Sequence, residues 1–276
     1  MKKTFVILIS LTILNSCVEN RKKSIGEIEV SNSEKDYVEF DPIKYVSNPE
    51  KTDTLCISEI NRAKNEIEKN GIAFTQEVGF LYGHNRYEKE LKELCEQKGL
   101  NYEIDLRGCV VFEGQTQGCY GAYMDKILAD KYGADFKKIM HKKADSIFLQ
   151  NIIKNNTAIY YGDLDERPKL PLEKSRSSDY ISDVKVENLD IKEDKSEYGG
   201  WPFFDVGFIV EKDSTINNFY INYFFEGLES NKKYKNELFE LAKNHLKKNY
   251  PTWVPGIVNG TQVRTDNNVR IHLIKE

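Results

Sequence analysis

The sequence predicts an α+β protein in two parts: an N-terminal mixed α/β domain with short strands, then a small β-β-α-β domain with an antiparallel sheet. Three observations carry this. Between residues 51 and 162, apolar positions at helical spacing alternate with short period-two runs, as when helices interleave with strands. From residue 203 the period drops to two for two runs, returns to helical spacing around 234–246, and ends on a third alternating run. With 276 residues, 39% hydrophobic and 30% charged, the chain can bury one or two ordinary cores.

The first stretch, MKKTFVILISLTILNSC, has two lysines, an apolar run from Phe5 and a continuation to Leu14. It is shorter than the ~20 apolar residues that span a bilayer and predicts a signal peptide over 1–16. Leu14-Asn15-Ser16-Cys17 resembles a bacterial lipobox. That resemblance implies cleavage before Cys17, acylation of its sulfur and amine, and a periplasm-facing protein held on the membrane. Val18-Glu19 lacks the aspartate that retains lipoproteins in the inner membrane of enteric bacteria, which favours the outer membrane. Residues 17–50 are polar, without a sustained period, and read as a flexible tether.

Cys56, Ile60, Ala63 and Ile67 then recur at helical spacing, and Gly71 stops them. Ile72 to Thr75 reads as a short strand. A second helix carries Tyr87, Leu91, Leu94 and Cys95 on one stripe and ends at Gly99. NYEIDL alternates Tyr102, Ile104 and Leu106 against charges, predicting a half-buried strand that CVVF continues past Gly108. A helical pattern follows Gly121 and stops at Gly133. The next helix places Phe136, Ile139, Met140, Ala144, Ile147 and Phe148 on one face, with Asp135 as N-cap. Residues 163–200, rich in charge, Pro and Ser, read as a linker holding one strand around Tyr180 to Val186.

Setting Cys17 aside, four cysteines remain: Cys56, Cys95, Cys109 and Cys119. An oxidising compartment permits two disulfides, with three connectivities open, and buried free thiols are the competing reading, since cysteine packs well as a small apolar residue. No C-x-x-C spacing points to zinc, and no residue set asks for another metal or a cofactor. Asp163, Asp165 and Glu166 lack the spacing and central glycine of a calcium loop. A net charge of -4, with 40 basic against 44 acidic residues, argues against nucleic acid as a partner.

In the C-terminal part, Phe204, Val206, Phe208 and Val210 alternate, a polar turn follows, and Phe219, Ile221 and Tyr223 form a second run. A helix then carries Tyr234, Leu238, Leu241, Ala242, His245 and Leu246, with Pro251 beyond its end. Trp253-Val254-Pro255-Gly256, a turn at Asn259-Gly260, and a strand with Val269, Ile271 and Leu273 on one face complete the chain. This order, Val263-Arg264, and the stretch from Gly207 to Asp213 are similar to the C-terminal domain of TonB-type energy transducers over about 201–274. The resemblance implies a sheet edge that takes an extended peptide from an envelope or outer-membrane protein. That edge falls here on Asn268, Val269, Arg270, Ile271, His272 and Leu273. True transducers carry an uncleaved membrane anchor with a titratable histidine and a long proline-rich spacer. This chain has a cleavable signal and 7 prolines, so the expectation is a non-catalytic binding module.

A competing reading is enzymatic. Gln115-Thr116-Gln117-Gly118-Cys119-Tyr120-Gly121 resembles the nucleophile region of papain-like thiol hydrolases. A helix N-terminus favours the Cys119 thiolate, and a base would have to come from His84, His141, His245 or His272. None of these histidines sits in a recognisable motif, and a periplasmic Cys119 is more readily explained as half of a disulfide.

Overall fold

The computed structural model describes residues 40–79, 85–108, 110, 112–171 and 180–275. The signal peptide, Cys17, His84, Cys109 and the tether as far as residue 39 lie outside the described residues. The elements are α1 (Pro42–Tyr45), α2 (Thr54–Asn70), β1 (Ala73–Val78), α3 (Glu88–Gln97), β2 (Asn101–Leu106), α4 (Cys119–Tyr132), α5 (Phe136–Asn155), β3 (Ile159–Tyr160), β4 (Tyr180–Lys185), β5 (Phe203–Val210), β6 (Ile216–Phe225), α6 (Lys235–Asn249), β7 (Gly256–Val258), β8 (Thr261–Val263) and β9 (Thr265–Ile274). This is an α+β chain. Among the described residues no helix is long and apolar enough to cross a membrane.

The N-terminal elements pack around a parallel pair, β1 with β2 in register from Ala73↔Asn101 to Val78↔Leu106. Gly71, at φ 88, ends α2 by donating its N–H to Ile67 O. A side chain is strained at that angle, so glycine suits the stop. Phe74 is fully buried against Leu91, Leu94, Cys95, Leu128, Met140 and Ala144, so β1 is the spine of this half. Ile139, expected on the buried face of α5, is exposed, because Phe136, Met140 and Ala144 already fill the space over β1.

Two further expectations fail here. Strand β2 forms, but its apolar face is open, with Ile104 43% and Leu106 70% exposed. Tyr102, on the same face, is partly buried against the Phe74 cluster, so burial fades toward the end of the strand. Of CVVF, Val110 and Phe112 are exposed and lie outside any strand, while Cys109 and Val111 fall outside the described residues. Part of the stretch expected as tether, 17–50, is folded as well. Residues 42–45 form α1, and Val46 is buried beside Cys56, Ile60, Cys119 and Ala122.

The C-terminal elements form a five-stranded sheet, β3-β9-β5-β6, with β4 also on β9. Strands β5 and β6 are antiparallel, as are β5 and β9, whereas β3 and β4 run parallel to β9. Helix α6 covers one face, setting Leu238, Ala242 and Leu246 against Phe204, Val206, Phe208, Val210, Val269, Ile271 and Leu273. Each such fully buried side chain contributes roughly 1.5–3 kcal/mol relative to exposure, and this stripe holds the helix on the sheet.

The segment 163–200 is not a free linker. Besides β4, it lodges Leu170, Val184, Val186 and Ile191 in the same core as α6. Two isolated bridges, Glu166↔Ile257 and Lys169↔Val254, bind its first part to the chain beyond the helix. Residues Pro42–Glu276 accordingly form one unit. A charged segment can be structural when its few apolar residues fall at the right register, and here four of them do.

Candidate functional site

The candidate docking strand, Asn268 to Leu273, is the centre of the sheet and not its edge. On one side Asn268 pairs with Gly207 and Arg270 with Asp205. On the other, β4 pairs Tyr180 with Arg270 and Asp183 with His272. The expected free edge is therefore a correction, because the segment before β5 returns and fills it. Val269, Ile271 and Leu273 face α6 and are fully buried. On the opposite face Arg270 makes a two-point contact with Asp205, at 2.7 and 2.9 Å, and its guanidinium lies 4.2 Å from the Phe203 ring centre. His272 stands 5.1 Å from the same ring, and burial lowers its pKa from 6.5.

The outer side of the sheet on the β6 flank is different. Strand β6 spans 10 residues, INNFYINYFF, with no charged residue and no proline. Phe219, Ile221 and Phe224 point to the core, while Tyr220, Asn222 and Tyr223 are exposed. Tyr220 lies across Gly207, where a Cβ would come within 2.2 Å of the ring, and donates to Asp266 Oδ1 at 2.6 Å. Burial and that carboxylate raise the Tyr220 pKa above 10.0. Only the bridge Thr215↔Thr252, just before the strand, touches this flank, and along β6 itself no outer partner exists among the described residues.

Cys119, the nucleophile of the enzymatic reading, is bonded to Cys56 across 63 residues, and both are buried. Loop closure of that length contributes about 4 kcal/mol in the chain-entropy picture. Gln115 is likewise committed: its Oε1 accepts from Leu55 N at 2.9 Å and Thr54 Oγ1 at 3.1 Å, and its Nε2 donates to Thr52 O. It clamps the start of α2 and faces no reaction centre. His141 is half-buried near Phe74 and Tyr87, and its pKa is lowered by burial and by Lys137. Cys95, expected as a disulfide candidate, is a buried free thiol whose pKa burial pushes up to about 11.

At the C-terminal ends of β1 and β2 a cavity of 130 Å³ is lined by Thr75, Glu77, Asp105, Arg107, Asp125 and Lys137 among others. Its charges are mostly spent on one another. Lys137 Nζ bonds both Asp125 oxygens and Thr75 O, and Arg107 joins Glu77 Oε2 and Gln117 O. No group of His, Cys, Asp and Glu among the described residues is placed to hold a metal ion.

Sequence reading missed a charge network tying the two halves together. Arg86 grips Asp145 at 2.7 and 2.9 Å and Asp165 at 2.6 Å. Asp165 in turn accepts from Asn259 N, and Asp145 from Asn259 Nδ2. The two carboxylates outweigh burial and raise the Arg86 pKa. Asp165 stays below 3.8, since Arg86 and Asn259 outweigh the opposing effect of burial. The Asn259-Gly260 turn, with both residues at positive φ, thus joins β7 to β8 and also docks onto α5. Trp253 is buried 5.2 Å from Phe208, and its indole donates to Tyr250 O. At Gly256 a Cβ would meet Leu164 at 2.5 Å. No protein-family model, curated protein or solved structure matches the chain.

Proposed function

We propose that this chain is an envelope lipoprotein, anchored through Cys17, whose C-terminal TonB-like sheet docks a partner protein by strand addition at the outer edge of β6. The single observation that carries the docking is that edge. It is 10 residues long, uncharged, free of proline, and without a ladder partner among the described residues. Such a row of backbone donors and acceptors is a template for another chain, and charges and proline, two devices that blunt edges not meant for pairing, are absent from it. The opposite outer strand, β4, does carry exposed charges at Asp183 and Lys185. Two register shifts between β5 and β6, with Asn218 at φ 49, bulge and curve this strand, so the proposed docking segment is the part beyond Asn218.

The test places a photo-crosslinking side chain at Asn222, with Asp183 as the comparison site, in intact envelopes. The expected result is a discrete adduct at Asn222 and none at Asp183. Tyr220→Pro and Ile221→Pro form the second arm, because these residues pair regularly between the two register shifts and backbone N–H groups alternate in and out there. The variant that blocks the outward N–H should fold normally and lose the adduct. If that folded variant crosslinks as well as the parent, docking at β6 is wrong.

A further inference from the structure

Helix α6 and the stretch that leaves β4 frame a groove of 580 Å³ on the side of the sheet remote from β6. Its lining has two characters. Val186, Leu189 and Leu241 supply an apolar floor, and Leu241 is 38% exposed although it sits on the apolar stripe of α6. Around that floor stand Glu187, Glu237 and Glu240 against one lysine, Lys185, with the amides of Asn188 and Asn236 between them. Glu240 is held by Lys243. Glu187 and Glu237 have no ion-pair partner among the described residues. Carboxylates bordering exposed leucine surface are the complement of a ligand with an aliphatic body and positive ends.

We infer that this groove binds a basic, leucine-bearing peptide segment of a partner protein, with lysine or arginine on the glutamates and aliphatic side chains on Leu189 and Leu241. The volume falls in the range of specific ligand sites, about 300–1,000 Å³. The groove shares no residue with the β6 edge, so it stands whether or not strand addition occurs there.

The probe is a fluorescein-labelled peptide of alternating leucine and lysine, titrated against the full chain by anisotropy. Controls of the same length alternate leucine with glutamate and serine with lysine. The leucine-lysine peptide should bind roughly tenfold or more tightly than either control, and weaken as salt rises. Glu187→Lys with Glu237→Lys should weaken it by about tenfold or more. Leu241→Asp should do the same at an unchanged melting temperature, while the β6 proline variants bind normally. Equal binding of the serine-lysine peptide would show an idle apolar floor and overturn the inference. Unchanged binding by the double glutamate variant would place the peptide elsewhere. Binding of octylamine, followed by isothermal titration calorimetry, with no binding of the leucine-lysine peptide would assign the groove to small amphiphiles and defeat the peptide assignment.

Discussion

Asp53 shows how much one side chain can organise. Its carboxylate accepts from Cys56 N at 3.0 Å as the cap of α2, from Thr116 N at 3.2 Å, and from Tyr45 OH at 2.9 Å. Burial alone would raise its pKa, but these hydrogen bonds outweigh it and hold the group below 3.8. One residue thereby joins α1, α2 and the loop before α4. Asp53→Ala leaves buried N–H groups unpaired, and the expected cost is ~1–3 kcal/mol, read as a shift in the urea midpoint at constant slope. A loss below half a kilocalorie would mean that the disulfide alone organises this corner. The cap was not legible in the sequence, because Asp53 stands among Lys51, Thr52 and Thr54 with no special mark; its weight comes from Thr116 and Tyr45, brought in from elsewhere in the chain.

At the scale of elements, the pairing of β4 with β9 decides which surface is available. Val184 is buried in the core shared with α6, and β4 pairs in parallel with Arg270 to Ile274. Val184→Asp would place a carboxylate against Phe and Leu side chains, at an expected cost of ~3 kcal/mol or more. Hydrogen exchange should then quicken at the amides of Arg270 to Ile274, while those of α2 and α3 hold. Protection unchanged in β9 would mean that β4 contributes little to holding that edge. Strand addition at β9 would require the same displacement, which is why the edge of β6 is the better docking surface. The periods of β5, β6, α6 and β9 were legible because each element buries a continuous apolar face. The covered edge was not, since β4 is one short run inside a charged segment and its partner lies about ninety residues further along the chain.

For the whole molecule, three half-buried histidines shape the response to pH near neutrality. His141, His245 and His272 all have folded pKa values below 6.5, chiefly through burial. The unfolded chain therefore binds more protons than the folded one as pH falls through 6.5, and stability is lost toward the lower folded values. Asp53 and Asp165 sit below 3.8 when folded, so their contribution holds above that value and disappears beneath it. Thermal melts followed by circular dichroism should show a plateau between about pH 7 and 8, a first decline between about 7 and 5, and a second below about 4. A melting temperature flat from pH 7 to 5 would rule out the histidine contribution. His141→Gln should shrink the first decline.

By itself, the sequence determined the types of β1, β2, β5, β6, β9 and of the helices α2 to α6, the α+β class, the tight turn at Asn259-Gly260 and the inward faces of β5 and β9, because periodicity and turn chemistry are local properties of a chain. Tertiary structure alone decided that Cys119 pairs with Cys56, that Arg86 joins both halves, and that β4 seals β9 while β6 has no outer partner among the described residues. Those outcomes depend on which distant segments meet, and a meeting between distant segments leaves no period in the residues that take part.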